Sequence, residues 1–474
     1  MSRSLAAAAA LLLLAAAPAA AQGYDQLSPG VRQLVAVPEP VVALQGVTVV
    51  DGTGAPPRPD QTVVVAGGRI RSVGPRATVK PPAGARVLDL TGHTVIPGIV
   101  GLHNHTWYTT SSRAQQLPFS APRLYLGSGV TTIRTTGSLS PYVELNMKHE
   151  IAAGRMPGPR MHITGPYITG ANTSVRMYNA ADSAAARRVV AYWADEGATW
   201  FKVYTTISRA ELAAVVDEAH KHGLKVTGHL CSVGYVEAVD LGIDQLEHGL
   251  FANSEYDPSK APDQCPSGSG DVLGTLDLTG APVQATFRHL VEQKVPMTST
   301  LAVYELYVPN RPPLEQRNLD AMSPETRGEY LETRARVAQS PGFGITPAVF
   351  AKAQAYELAF VRAGGLLGAG VDPTGMGGAL PGYGDQRNYE LLLESGFTPV
   401  EAIQVMTANG AKILGEYDQY GSVEAGKLAD LVVINGDPVA KPAEIRNVVL
   451  VFKDGVGYDA PRMREAVKGL VGVR

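Results

Sequence analysis

Two histidines separated by one residue, His103 and His105, close an apolar run that begins at Val95. Alternate residues of a strand share a face, so both imidazoles can reach one metal ion. Four further groups lie in or end other apolar runs: Lys202 within Trp200-Phe201-Lys202-Val203-Tyr204, His229 after Val226-Thr227-Gly228, His248 after Leu246-Glu247, and Asp372 after Ala369-Gly370-Val371. A lysine in an apolar strand is costly to bury unless its charge is neutralised or the amine is modified. Each residue alone has a bland explanation. A single histidine is more often packed or solvent-facing, Lys202 could reach solvent from a strand end, and Asp372 before Pro373 could form a turn. His220 and His222, two apart on a helical stretch, share no face and read as surface residues. Six such groups at the ends of five strands point jointly to a metal site.

The elements that must position these groups alternate strand-like runs with helical patterns. The strand candidates are Val95 to His105, Val130 to Thr136, Arg160 to Thr169, Thr199 to Tyr204, Leu224 to Leu230, Ile243 to Leu250, Val295 to Leu301 and Leu366 to Asp372. Eight of them predict an α/β chain built as a (β/α)8 TIM barrel, which gathers catalytic groups at its strand ends. Ser208-Arg209-Ala210-Glu211 is a capping box, and Thr398-Pro399-Val400-Glu401 adds proline at the first helical position. Asn253 to Gly280 and Tyr304 to Thr346 read as insertions above the barrel. At the two ends, Val41 to Val50, Thr62 to Val73, Arg86 to Leu90, Asp430 to Ile434 and Asn447 to Phe452 are β-type. Neither set can bury a core alone, so the ends are expected to pair as a small composite β-sandwich domain. The resulting division is 1–21 leader, 22–96 and 416–474 β-sandwich, and 97–415 barrel.

The 474 residues, 45% hydrophobic and 18% charged, can bury a large core, and a net charge of −3 gives no basic excess to draw nucleic acid or anionic lipid. Cys231 and Cys265, the two cysteines, cannot make a zinc module of four thiolates, so any metal must be held by histidine, carboxylate or something less usual. Arg3, the apolar run Leu5 to Ala17 and Ala19-Ala20-Ala21 form a signal peptide cleaved before Gln22. The run is shorter than a membrane span and ends at Pro18. The expected protein is secreted or periplasmic with no membrane attachment after cleavage. In that oxidising setting Cys231 and Cys265 could pair, which their number alone does not establish. Oligomeric state is open, a homo-oligomer included.

With these motifs in place, the chain resembles the amidohydrolase superfamily, metal-dependent hydrolases on a (β/α)8 barrel. The resemblance rests on Val95-Ile96-Pro97-Gly98-Ile99-Val100-Gly101-Leu102-His103-Asn104-His105, Phe201-Lys202-Val203, His229, Leu246-Glu247-His248-Gly249, Gly370-Val371-Asp372 and the run Gly421 to Leu431. It is most similar to the imidazolonepropionase-like and prolidase-like secreted branch. That resemblance implies two divalent metal ions, zinc by default. His103, His105 and Asp372 would hold the first and His229 and His248 the second, with a carbamate on Lys202, formed from CO2, bridging them. It also implies a metal-bridging hydroxide as nucleophile, with Asp372 as the catalytic proton acceptor. Two positions depart from the pattern. Gly101 stands where relatives often carry Asp, which puts in question a hydrogen bond behind the ligands. Thr169-Gly170-Ala171-Asn172-Thr173 replaces a Gly-Gly-His-Gly-type loop and argues against prolidase-like specificity.

Tyr108, Tyr167 and Tyr204 follow the first, third and fourth strands and are candidate hydrogen-bond donors to a small-molecule substrate. Tyrosines at such places are also common packing residues. The expected activity is hydrolysis of an amide bond in a dipeptide, an N-acyl amino acid or an aryl amide. A lactonase, esterase or phosphotriesterase could use the same binuclear site. A deaminase has less use for Lys202, and a non-catalytic binding protein has less use for all six ligands.

Overall fold

The computed structural model describes residues 23–110, 113–170, 176–267, 270–339 and 345–473; the leader at 1–21 lies outside them. Eight parallel strands form the barrel: β1 Ile99–Asn104, β2 Val130–Thr135, β3 Arg160–Gly170, β4 Trp200–Val203, β5 Lys225–Gly228, β6 Gln245–Glu247, β7 Met297–Ser299 and β8 Leu367–Ala369. Each pairs with its sequence neighbour, and β8 pairs back onto β1 to close the ring. The predicted (β/α)8 architecture is therefore present, with every expected strand in order.

The outer helices follow from local sequence. Helix Arg209–Lys221 starts at the Ser208–Glu211 capping box and buries Leu212, Val215, Val216 and Ala219, a stripe spaced 3, 1 and 3 residues that faces the barrel. Thr398 and Glu401 cap helix Pro399–Met406 in the same way. Each large apolar side chain so buried contributes about 1.5–3 kcal/mol. Among the described residues, no helix is long and apolar enough to cross a membrane.

Strands from both ends of the chain join in one nine-stranded sheet beside the barrel. His93–Pro97 lies antiparallel to Leu431–Asn435 and parallel to Val41–Val49. Val35–Val37 pairs with Val456–Asp459, two strands that the sequence reading did not single out. The sheet curls over its apolar face, so that Gly68 of the hairpin turn touches Gly455 of another: a Cβ on Gly455 would lie 2.6 Å from the Gly68 Cα. Ala429 N donates to Gly68 O and Gly455 N to Ala429 O, fastening the curl.

Three expected spans are corrected. Val95 to His105 is two strands, His93–Pro97 and Ile99–Asn104, in different sheets. They divide at Gly98, where a Cβ would fall 2.0 Å from Thr131 Oγ1, so only glycine lets the chain pass β2 as it changes sheets. Thr62 to Val73 is a hairpin of Arg58–Ala66 and Arg69–Pro75. The strand expected over Ile243 to Leu250 is only Gln245–Glu247, because His248 turns left-handed at φ 70° into a short 3-10 turn, Gly249–Ala252.

Candidate metal centre

The C-terminal ends of five barrel strands converge on one cluster. His103 is on β1 and His105 follows it; Lys202 is on β4, His229 and His248 follow β5 and β6, and Asp372 follows β8. All are buried except His229, which is partly exposed. One donor atom from each of His103, His105 and Asp372 lies within 4.8 Å of the others, the spacing of ligands around a single ion. Asp372 Oδ2 is 3.5 Å from His103 Nε2, and its Oδ1 is 3.3 Å from His105 Nε2. Lys202 Nζ lies 3.0 Å from His103 Nε2. The rings of His229 and His248 are 4.2 Å apart, and that of His248 is 4.5 Å from His103. The six residues singled out in the sequence are thus brought together.

The donor set fits a metal. His248 Nδ1 is bonded to Thr300 Oγ1 at 2.7 Å, leaving Nε2 buried with no hydrogen-bond partner among the described residues. His103 Nδ1 donates to Glu247 Oε2 at 2.8 Å, which fixes the tautomer with the Nε2 lone pair free to ligate. Burial lowers the His105 pKa to about 4 and, with Lys202 nearby, that of His229 to about 3, so both rings are neutral at physiological pH. Burial pushes Asp372 up, but His103, His105 and Lys202 outweigh it and hold the carboxyl far below its usual range. Burial lowers Lys202 to about 8 against the pull of Glu247 and Asp372.

Glu247 is the functional partner that sequence reasoning left without a role. It supplies from β6 the hydrogen bond behind His103 that Gly101 put in question. Burial disfavours its charge, yet Arg134, His103 and Lys202 keep it ionised. Arg134 is fully buried on β2 and donates to Glu247 Oε1 at 2.6 Å, Gln245 Oε1 at 2.5 Å and Leu102 O at 2.9 Å. Its guanidinium lies 4.5 Å from the Trp200 ring centre. An arginine within Val130-Thr131-Thr132-Ile133-Arg134 was a visible signal, of the same kind as Lys202 in its apolar strand.

Above the cluster opens a cavity of about 590 Å3. Trp107, Tyr167, Tyr204, Tyr304 and Tyr307 give it an aromatic wall, and Arg176 brings a guanidinium. Tyr304, Tyr307 and Ile345 come from the second expected insertion. Tyr167 and Tyr204 therefore stand where a substrate could meet them. The expectation for Tyr108 is corrected: its buried hydroxyl accepts from Gly378 N at 3.1 Å, and the residue packs instead of lining the cavity. Cys231, two residues past His229, is joined by a disulfide to Cys265 in the first insertion, answering the pairing left open by the sequence. His220 is exposed on its helix and bonded to Asp244, and His222 caps that helix's end. Of the departing loop, 171–173 lies outside the described residues.

The profile of the amidohydrolase family matches residues 94–264 and 360–457, more than half of the chain. Among solved structures, a candidate prolidase from Bifidobacterium longum aligns with a TM-score of 0.65 at 26% identity, over 90% of this chain and 98% of that one. A Xaa-Pro dipeptidase with methionine bound in its active site aligns at 0.66 and 21%, over 88% and 100%. Bottromycin amidohydrolase aligns at 0.69 and 19%, over 94% and 95%; at such identities these two share the fold alone. No curated protein sequence matches the chain significantly.

Proposed function

The chain belongs to the amidohydrolase family, and from that premise we propose that it hydrolyses an amide bond of a small molecule: a dipeptide, an N-acyl amino acid or an aryl amide. The observation that carries this reading is the convergence of His103, His105 and Asp372 within 4.8 Å, with Lys202 beside them, under an aromatic cavity. His103, His105 and Asp372 would hold one divalent ion and His229 and His248 a second, zinc by donor preference. When bound, the metals lower the pKa of water and polarise the scissile carbonyl.

This chain's own residues supply the rest. Near its lowered pKa of about 8, Lys202 is in part a neutral amine, able to attack CO2 and lose a proton. The carbamate formed is an anionic oxygen donor, which an ammonium cannot be. Asp372, ionised throughout the physiological range, accepts the proton of the attacking water and passes it to the amide nitrogen as the carbon–nitrogen bond breaks. A carboxylate and an amine leave. Tyr167, Tyr204, Tyr304, Tyr307 and Trp107 exclude water from the bound substrate and orient its apolar parts, and Arg176 suits a substrate carboxylate. The Bifidobacterium longum relative described as a candidate prolidase supports the amide reading. Export completes the proposal: the Cys231–Cys265 disulfide suits an oxidising compartment.

The test is turnover of dipeptides, N-acyl amino acids, aryl amides, lactones and phosphotriesters by residues 22–474 supplied with zinc and bicarbonate, beside Lys202→Ala. We expect an amide class to be turned over and the variant to lose about 10^3-fold or more in kcat/KM, roughly 4 kcal/mol. Turnover confined to lactones or phosphotriesters would keep the metal site and reject the amidase reading.

A further inference from the structure

The seam between β8 and β1 closes the barrel, and in it the paired strands share a single register pair, Ala369 with Gly101. Beyond that pair both chains carry ligands. β1 leads to His103 and His105; β8 leads through Val371 to Asp372, whose φ of 45° turns the backbone aside. The seam therefore sets the distance between the two histidines and the carboxylate that must meet at one ion.

Asn104, between the histidines, projects to the opposite face and lies in this seam. Its Oδ1 accepts from Val371 N at 3.1 Å, and its Nδ2 donates to Asp385 Oδ1 at 3.1 Å. Asp385 Oδ2 in turn accepts from Gly382 N at 2.9 Å, at the start of helix Tyr383–Glu394. Asn104 and Asp385 are both buried, so neither bond is exchanged for water. A side-chain amide thus ties β1 to the residue before Asp372 and to the helix that follows β8. Room for it exists because residue 101 has no side chain: a Cβ there would fall 2.2 Å from Asn104 Nδ2 and 2.6 Å from its Cγ.

We infer that Asn104 is a positioning residue for the metal ligands, that it acts by bridging Val371 and Asp385, and that Gly101 is its required neighbour. The inference rests on the metal-hydrolase reading above. Removing the amide frees Val371 N and leaves the seam beyond Ala369 held by the bond from Asp372 N to His103 O at 2.8 Å, which lets the Asp372 carboxylate shift against the histidines, whereas a methyl at 101 displaces the amide while leaving every hydrogen-bonding group in the chain. Partners behind metal ligands are worth roughly 10–100-fold in affinity.

The experiment measures zinc retained against a chelator series, and the Co(II) absorption spectrum, for residues 22–474 and for Asn104→Ala, Gly101→Ala and the double variant. Each single variant should retain metal about 10–100-fold less tightly, with an altered Co(II) spectrum; because each change leaves buried polar groups unpaired or crowded, the metal-free variants should also unfold at lower urea, and retention is therefore compared without denaturant, where each is folded. The double variant should be no worse than Asn104→Ala, because the overlap is gone once the amide is gone. If Asn104→Ala does not fold, Asp385→Ala cuts the far end of the bridge without touching either ligand-bearing strand, and the same direction of loss is expected. Retention within about twofold of wild type together with an unchanged spectrum overturns the inference, as do single losses that add in the double variant. A wild-type protein that takes up no metal overturns the functional reading as well; one that binds metal while Asn104→Ala binds it equally overturns this inference alone.

Discussion

Replacing Arg134 by methionine removes a guanidinium with no exposed surface and leaves Glu247 buried with one fewer counter-charge. The carboxylate would keep His103 Nδ1 at 2.8 Å and Thr227 Oγ1 at 2.5 Å but lose the charge-assisted bond at 2.6 Å. Breaking a buried ion pair from one side costs about 3–5 kcal/mol, and stacking on Trp200 adds roughly 0.5–2. A loss near 5 kcal/mol is therefore expected. The sign with pH follows from the depressed Glu247 carboxyl. Its contribution is present above the unfolded value near 4.5 and disappears as pH falls through the folded value, so the variant should differ from wild type most at neutral pH and least in strong acid. The assay is urea unfolding of chelator-treated protein, which keeps metal binding out of the measurement. The neutral pair Arg134→Met/Glu247→Gln should recover about 2 kcal/mol relative to Arg134→Met alone, since no uncompensated charge remains. A single variant within about 1 kcal/mol of wild type, or a double variant as unstable as the sum of the two singles, would refute the reasoning.

Cys231→Ser/Cys265→Ser opens a loop with a sequence separation of 34, for which the chain-entropy relation gives about 3–4 kcal/mol; denaturation with and without reductant should show this difference in wild type and none in the variant. Protein recovered from outside the producing cell should begin at Gln22 with both thiols blocked, and a retained leader would argue against export. Glu357 is buried, its Oε2 has no close hydrogen-bond partner among the described residues, and burial raises it to about 8 against the nearby Ser299 hydroxyl. Its contribution is complete below the unfolded value near 4.5 and is lost as pH rises towards 8, so Glu357→Gln should flatten the fall in stability between pH 5 and 8, and an unchanged slope would count against the assignment.

The eight barrel strands were readable because parallel strands buried on both sides are continuous apolar runs, and the six candidate ligands stood out as polar interruptions of them. What was not readable depends on pairing across long sequence separations. Glu247 meets His103 across 144 residues and Arg134 across 113. Nothing in Leu246-Glu247-His248 says which of the two polar side chains faces the cavity and which faces a histidine on another strand. The division of Val95 to His105 at Gly98 was hidden for a similar reason: the apolar pattern continues through the glycine, and only the proximity of Thr131 shows that the chain changes sheets there. Tyr108 misled because position after a strand does not say whether a ring turns towards the cavity or into the packing behind it.

The nine-stranded sheet has a consequence for the order in which the molecule can be made. Val35 finds its partner in Tyr458, and His93–Pro97 finds one of its neighbours in Leu431–Asn435. During synthesis, then, every barrel strand has emerged while His93–Pro97 still presents a row of unpaired backbone groups, an invitation to the wrong neighbour. The last strands act as a clasp. Until they arrive every candidate ligand has been made but the architecture is open, so a premature stop after the last of them, Asp372, would yield a polypeptide that carries the whole candidate set and still lacks the means to stay folded around it.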